Sequence, residues 1–335
     1  MAARLRGNRP FLPRRLAFGA LLAALTTGVA PGRPAGADAA FDTWLDQLRR
    51  DALERPVSPA TLDAVLPRLE VLPRVLELQR RQPESHLTYR AYVARVAPPA
   101  RLQYGRQQLG HYGDLLGRVS ARYGVPPQVI VALWAVESDF GRHPGDLPVL
   151  SSLATLAYRG SRRAYFRSEL LEALAIVDAG DALPDQMRGS WAGALGQCQF
   201  MPSNFRRLAV DWDGDGRRDI WGTPADVFAS IAHFLSSQGW RADLTWGREV
   251  RLPSGFDYGL VGPQMRYPLS RWQALGVRRA DGTDLPERDV SARLVLPDGK
   301  QGPAFLVYAN YEALLRWNRS DNFALAAGHL ADALR

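Results

Sequence analysis

Glu137 closes a run, residues 129–136, that is apolar at every position. Burying an ionised carboxylate is expensive, and burial favours the protonated form, which a general acid needs near neutral pH. A glutamate there can equally cap or salt-bridge a helix end, and this stretch alone leaves the two readings level. Asp139 is the neighbouring carboxylate; two residues along a helix it faces away from Glu137. A second stretch, Ser190-Trp-Ala-Gly-Ala-Leu-Gly-Gln-Cys-Gln-Phe-Met-Pro-Ser203, sets glycines among Gln197, Gln199 and Phe200. Tight backbone beside amide and aromatic groups suits a sugar, whose hydroxyls need donors and acceptors and whose ring faces stack; a packed helix–loop junction has the same composition. In the third, Asp211, Asp213, Asp215, Arg217 and Asp219 hold positions one, three, five, seven and nine of a calcium-loop pattern, with Gly216 at six. Position twelve is Gly222 where a bidentate glutamate is usual. Asp226 is the substitute ligand, or else, three residues after Thr223, the partner in a capping box. One structural Ca2+ and an acidic surface turn are the two readings.

These groups need elements to position them, and the chain reads as mainly helical. Pro126-Pro127 opens a helix over 128–138 that is apolar on every face and therefore buried. Leu109, Tyr112, Leu116, Val119 and Tyr123 recur at three- and four-residue steps, predicting one long amphipathic helix that stops at Gly124. Ser58-Pro59 starts another, and further helices are expected over 165–178, 202–210 and 224–238, the last with Thr223 as cap and Gly239 as stop. Between about 241 and 309 short alternating stretches, 292–296 and 304–308, flank Pro297-Asp298-Gly299 and read as a hairpin. A small β-containing subdomain is thus expected within a helical region of about 40–240 and 310–335, with a final helical segment over 311–334.

The first 39 residues differ from the rest. Five arginines, Arg4 to Arg15, precede an apolar run over 16–30 and the small-residue triplet Ala37-Asp38-Ala39. That is the order of a secretory signal peptide, cleaved near residue 39. Arg14-Arg15 suits the twin-arginine route and an ordinary basic leader equally. Cys198 is the only cysteine, so a disulfide within the chain is excluded and the usual lipid anchor has no attachment point. A lone cysteine reads as a small buried hydrophobe. The net charge is +8, but the leader holds six arginines against Asp38, which leaves the mature chain near +3. No basic run is interleaved with aromatics, which argues against nucleic-acid binding. HExxH, GxSxG and a phosphate-cradling loop are all absent from the sequence.

Taken together, the motifs resemble those of lytic murein transglycosylases of the membrane-bound-transglycosylase-B type, glycoside hydrolase family 103. The resemblance rests on Tyr-Gly-Val-Pro-Pro (123–127), Val-Glu-Ser-Asp-Phe-Gly (136–141), Leu-Ala-Thr-Leu (153–156), Arg-Arg-Ala-Tyr-Phe (162–166), the 193–203 stretch and Ala-Val-Asp-Trp-Asp-Gly-Asp-Gly (209–216). It implies a lysozyme-like core in a mainly α (α+β) fold, a periplasmic location and peptidoglycan glycan strands as the partner. It implies that Glu137 cleaves the β-1,4 bond after N-acetylmuramic acid as single acid/base, leaving a 1,6-anhydromuramoyl end. Ser190 and Gln199 fall on sugar-lining positions, Arg162 and Arg163 on a pair that holds glycan or peptide. Tyr89 falls on a tyrosine near the carboxylate, and Asn318 on an asparagine near the reacting sugar. Trp317 and Phe323 stand where a member carries tyrosine, so stacking is expected to survive and a phenol hydrogen bond to be lost. A hydrolytic muramidase using Asp139 or the 211–219 loop, and a non-catalytic peptidoglycan scaffold, are the rival readings.

Overall fold

The structure is a computed structural model that describes residues 39–81 and 87–335. The leader, apart from Ala39, lies outside the described residues. Among those described, no helix is long and apolar enough to cross a membrane. The first half is a succession of helices: α1 (Ala39–Leu53), α2 (Pro59–Val65), α3 (Pro73–Arg80), α4 (Tyr89–Val96), α5 (Pro99–His111), α6 (Gly113–Tyr123) and α7 (Pro127–Ser138). Strand β1 (Leu147–Pro148) precedes α8 (Val149–Arg159) and α9 (Arg163–Asp178), and pairs antiparallel with β2 (Arg188–Gly189). Then come α10 (Pro202–Leu208) and α11 (Pro224–Ser237). Proline stands in the first turn of α2, α3, α5, α7, α10 and α11, where its fixed φ suits the helix and its missing N–H is no loss.

Every residue of α7 from Val129 to Ser138 is buried, and α5, α6, α11 and α14 (Asp321–Ala333) pack around it. A helix with no polar face must be enclosed on all sides, and this enclosure makes α7 the axis of the main core. The chain over 109–123 is two helices, contrary to the single one expected. The break is at Tyr112 (φ −102°, ψ 18°) between Gly110 and Gly113. It turns the phenol ring edge-on to Trp134 and Phe228, at 6.0 and 5.1 Å between centroids. The amphipathic spacing survives the break because both halves bury the same side. The 311–334 segment is likewise broken, into α13 (Ala309–Trp317) and α14, with Ser320 accepting the Phe323 N–H at 3.3 Å to start the second helix.

The β-containing part follows α11. Strands β3 (Gly247–Arg251), β4 (Arg266–Pro268), β5 (Arg278–Arg279), β6 (Ser291–Val295) and β7 (Ala304–Val307) form one antiparallel sheet in the order β4-β6-β7-β3-β5, and α12 (Leu269–Ala274) covers it. β6 and β7 are the expected hairpin, in register Leu294 to Leu306. Leu294, Leu306, Leu269 and Trp272 give the sheet a small core of its own. The whole is mainly α with a small β-containing subdomain.

Candidate active site

Glu137 lies in the last turn of α7 and is 9% exposed. The helix stops abruptly because Asp139, Phe140 and Gly141 all take left-handed backbone, φ 52°, 60° and 79°. Such conformations cost about 1–2 kcal/mol each outside glycine, so something must hold them. The Asp139 carboxylate does: it accepts from Arg101 Nε at 3.1 Å and pairs with Arg142 at 2.8 Å and His143 at 3.3 Å. Asp139 therefore caps α7 instead of continuing it, a correction to its placement on the helix, and its charge is committed to arginines. Gly141 has a second reason to be glycine: a Cβ there would meet Gln197 Oε1 at 2.3 Å.

On the other side, the Trp317 indole donates its Nε1–H to Glu137 Oε1 at 2.5 Å. Trp317 ends α13, is 1% exposed, and is packed by Phe200 and Phe234 at centroid distances of 5.3 and 4.7 Å. Its ring offers no face to a ligand, which corrects the expectation that it stacks on sugar. The hydrogen bond expected to vanish with the phenol is supplied by the indole. Phe323 is buried in the first turn of α14 and corrected in the same way. Asn318 follows Trp317 as the cap of α13, its N–H given to Leu314 O at 3.0 Å, and is buried with it.

The glycine-rich stretch packs beneath the turn after α7. Gln197 accepts the Trp134 Nε1–H and donates to Trp221 O, both at 2.7 Å. Its amide thus joins α7 to the segment after the acidic loop. Gln199 adopts φ 50° and donates to Pro144 O at 2.6 Å and Gly196 O at 2.8 Å. The described non-glycine residues with positive φ are Asp139, Phe140 and Gln199, all within this region, and strained backbone of this kind clusters at functional sites. Ser190 Oγ accepts from Ala194 N at 3.0 Å and shapes the same loop. Cys198 is buried; burial first, then the charges of Glu137 and Asp226, push its thiol well above the usual range. It is a core residue, as expected.

Arg162 caps α9 at its start and lies over the Tyr165 ring at 4.1 Å, while Arg163 beside it is exposed. Tyr89 faces the β subdomain: its N–H goes to Asp298 Oδ1 at 2.8 Å and its ring meets Phe305 edge-on at 5.0 Å. Burial, then the charges of Glu249 and Asp332, push its phenol above the usual range. The phenol that feels Glu137 belongs to Tyr92, one turn along α4, raised by burial and then by that carboxylate. The sequence pattern singled out Gln197 but not Tyr92, for which the spacing Tyr89, Tyr92, Val96 along one face of α4 was the available signal.

In the acidic loop, carboxylate oxygens of Asp211, Asp213 and Asp226 all lie within 4.8 Å of one another. Asp215 and Asp219 stand outside this group. Asp215 Oδ1 accepts from Arg217 N at 2.8 Å, and Asp219 Oδ1 from Trp221 N at 2.8 Å and Gly222 N at 2.9 Å. The Arg217 side chain reaches Gln186 Oε1 at 3.3 Å, so only its carbonyl remains as a ligand atom. Thr223 does not cap α11 with its side chain, and the capping-box alternative for Asp226 fails. Asp226, 1% exposed, accepts from Trp212 N at 2.8 Å and Asp219 N at 2.7 Å. Burial raises its carboxyl to about 6 against those two donors, with Asp213 and Asp211 adding to the rise. Three converging carboxylates, one buried and destabilised as an anion, fit a hard divalent cation with oxygen ligands.

A family model described as a transglycosylase SLT domain matches residues 40–332. The membrane-bound lytic murein transglycosylase B of Escherichia coli strain K12 is 32% identical over 249 residues, 72% of this chain. The matched stretch spans 66% of that relative's length, just under two thirds. The structure of SltB3 from Pseudomonas aeruginosa in complex with NAG-NAM-pentapeptide is similar with a TM-score of 0.86 at 44% identity, covering 88% of this chain and 80% of that one. The Escherichia coli lytic transglycosylase Slt35 in complex with calcium is similar with a TM-score of 0.75 at 28% identity, covering 89% and 94%.

Proposed function

The chain belongs to the transglycosylase SLT domain family, and from that premise we propose that it is an exported, periplasmic lytic transglycosylase of peptidoglycan with Glu137 as its single acid/base. The observation that carries the reading is one buried carboxylate, Glu137, fixed by an indole donor, beside carboxylates engaged elsewhere. Asp139 is bound to Arg101 and Arg142, and Asp211 accepts from Gly214 N and Gly216 N within its own loop. Hydrolysing glycosidases generally need two carboxylates, the second to activate water or form a covalent bond. A single carboxylate suffices when the nucleophile is the substrate's own hydroxyl. Protonated Glu137 gives its proton to the oxygen bridging N-acetylmuramic acid and N-acetylglucosamine as the C1–O bond breaks. The resulting carboxylate then takes the proton of the muramoyl C6 hydroxyl, whose oxygen bonds to C1. The products are a free 4-hydroxyl and a 1,6-anhydromuramoyl end, with no water consumed. The attacking group is already tethered to the reacting ring, a proximity gain that can be large. Burial of Glu137 favours the acid form needed first.

Gln199 and Ser190 line the glycan in this reading, with Asn318 buried beside Trp317, and Arg162 and Arg163 engage its anionic groups. The NAG-NAM-pentapeptide held by SltB3 supports a substrate of glycan bearing stem peptide. Asp211, Asp213 and Asp226 hold one structural Ca2+, supported by the calcium in Slt35. It would tie the acidic loop to the start of α11, and no chemical step needs it.

Mass spectrometry of digested sacculi tests the reaction. The expected products carry anhydromuramoyl ends, lighter by one water than hydrolysed ends, and purely hydrated ends would establish the muramidase instead. Glu137→Gln is expected to lower the rate at least about a thousandfold, within the range of removing a general acid or base. A Glu137→Gln chain that digests sacculi at the parent rate removes Glu137 from the chemistry, and a parent that digests nothing establishes the scaffold.

A further inference from the structure

We propose that Gln197 is a positioning residue for the reaction at Glu137: its side-chain amide fixes the rotation and the end of α7 by tying Trp134 to the segment that follows the acidic loop. The inference rests on the transglycosylase reading of this site and deepens it. The run from Val129 to Val136 carries a single polar side-chain atom, the Trp134 indole nitrogen. Apolar packing around the rest of that run is non-directional; it buries the helix without specifying its rotation. A hydrogen bond has a direction. The Trp134 Nε1–H meets Gln197 Oε1 at 2.7 Å, and Gln197 Nε2 donates to Trp221 O at 2.7 Å. An indole N–H only donates and a carbonyl only accepts, so the two partners together leave the amide one orientation. The Gln197 backbone is held too, its N–H on Ile220 O at 2.8 Å.

The far end of this tie is itself anchored. Trp221 donates its indole N–H to Arg188 O of β2 at 2.9 Å and its backbone N–H to Asp219 Oδ1 at 2.8 Å. The Asp219 N–H in turn goes to buried Asp226 at 2.7 Å. From Trp134 the hold passes on to the catalytic turn. The Trp134 carbonyl accepts from Phe140 N and from Ser138 Oγ, both at 3.2 Å, and Ser138 Oγ accepts from Gly141 N at 3.1 Å. Gly141 lies against the same amide, where a Cβ would meet Gln197 Oε1 at 2.3 Å. Gln197 therefore meets α7 one turn before Glu137 and the left-handed turn just after it. The amide brackets the carboxylate from both sides along the chain. A displacement of about 1 Å at a reacting group can cost about a hundredfold in rate, so a bracket of this kind bears on turnover.

Kinetics on solubilised glycan strands, measured well below each melting temperature, test this with the full chain. Gln197→Met keeps the side-chain length and removes both bonds, so kcat is expected to fall about ten- to a hundredfold with KM little changed. Val65→Ala, a truncation of a buried residue in α2, lowers stability away from the site and should leave kcat at the parent value. Trp134→Phe removes the indole N–H from the other side and keeps a ring against Tyr112 and Phe228. Because Gln197 acts through Trp134, the double variant should lose no more than the larger single loss. Gln197→Glu adds a pH readout. When protonated, the new carboxyl can donate to Trp221 O and accept from Trp134; when ionised it can only accept. Its kcat relative to the parent should therefore climb towards parity as pH falls. A folded Gln197→Met with the parent's kcat, or losses that multiply in the double variant, overturn the proposal. If Gln197→Met does not fold, the Gln197→Glu ratio decides, and a ratio that ignores pH overturns it. Anhydromuramoyl products from a chain indifferent to these changes sink this inference alone. A Gln197 effect with purely hydrated products sinks the transglycosylase reading and leaves the hold on α7 standing.

Discussion

Gly141 illustrates how closely the residues around Glu137 constrain one another. Its φ of 79° is one that side chains rarely adopt, and a Cβ would sit 2.3 Å from Gln197 Oε1. That oxygen already accepts the Trp134 indole hydrogen, so the amide cannot move without leaving a buried N–H unpaired, which costs about 1–3 kcal/mol. Gly141→Ala is therefore expected to lower stability by about 2–4 kcal/mol, strain and lost bond together, and to reduce turnover through the displaced end of α7. Thermal melting and sacculus digestion measure the two effects. Gly110, near the end of α5, is the control, since a methyl group added there would meet nothing within 4 Å. Gly110→Ala is expected to be neutral or stabilising by up to about 1 kcal/mol. The chemistry at 137 and the glycines around it were legible as residue types. Their mutual distances were not, because left-handed backbone at 139 and 140 is unusual for aspartate and phenylalanine and leaves little trace in composition.

At the scale of elements, the acidic loop and α11 form a unit. The loop supplies Asp211 and Asp213, and the first turn of α11 supplies Asp226 from 15 and 13 positions further along the chain. The Trp212 and Asp219 N–H groups, both donated to Asp226, already close the loop onto the helix. Calcium would add a third tie and relieve the repulsion among three carboxylates. At about one hundred times its dissociation constant a bound ion stabilises by about 2.7 kcal/mol, which for a chain this size raises melting by about 4 °C. Calorimetric melting with calcium and with chelator should show that rise, and Asp213→Ala should abolish most of it. Identical melting in the two buffers would remove the site. The spacing of aspartates pointed to the loop, but the missing carboxylate at position twelve was replaced from a helix whose approach only the packing sets.

At the scale of the whole molecule, the sheet and the helical core meet at α13. Arg293 of β6 is nearly buried, lies over the Tyr311 ring at 5.1 Å, and pairs with Glu312 at 3.0 Å; Tyr311 donates its hydroxyl to Asp321 at 2.5 Å. One end of α13 is thus fastened to the sheet and the other holds Glu137 through Trp317. Glu312→Gln keeps the shape and removes the charge, leaving Arg293 with Asp321 at 4.0 Å. The expected cost is about 1–2 kcal/mol, the lower range because Glu312 is partly solvated. Turnover should fall with it if strain reaches Trp317, and the paired measurement of melting temperature and kcat distinguishes a loosened interface from a displaced carboxylate.

By itself the sequence determined the mainly helical class, the buried helix ending in Glu137, the β6–β7 hairpin and the aspartate loop. Each of these is written locally: apolar periodicity, proline at helix starts, turn residues between alternating stretches, and carboxylates two positions apart. Only the tertiary structure decided which groups face Glu137. Trp317 lies 180 positions away and serves as a donor instead of a stacking platform, Tyr92 is a phenol whose ionisation the Glu137 charge opposes, and Asp139 turns out to be a cap held by arginines. These outcomes depend on where α4, α7 and α13 cross and on which side chains the core then encloses. Local propensity carries no information about crossings between distant segments, so a residue's type was readable in advance and its role was not.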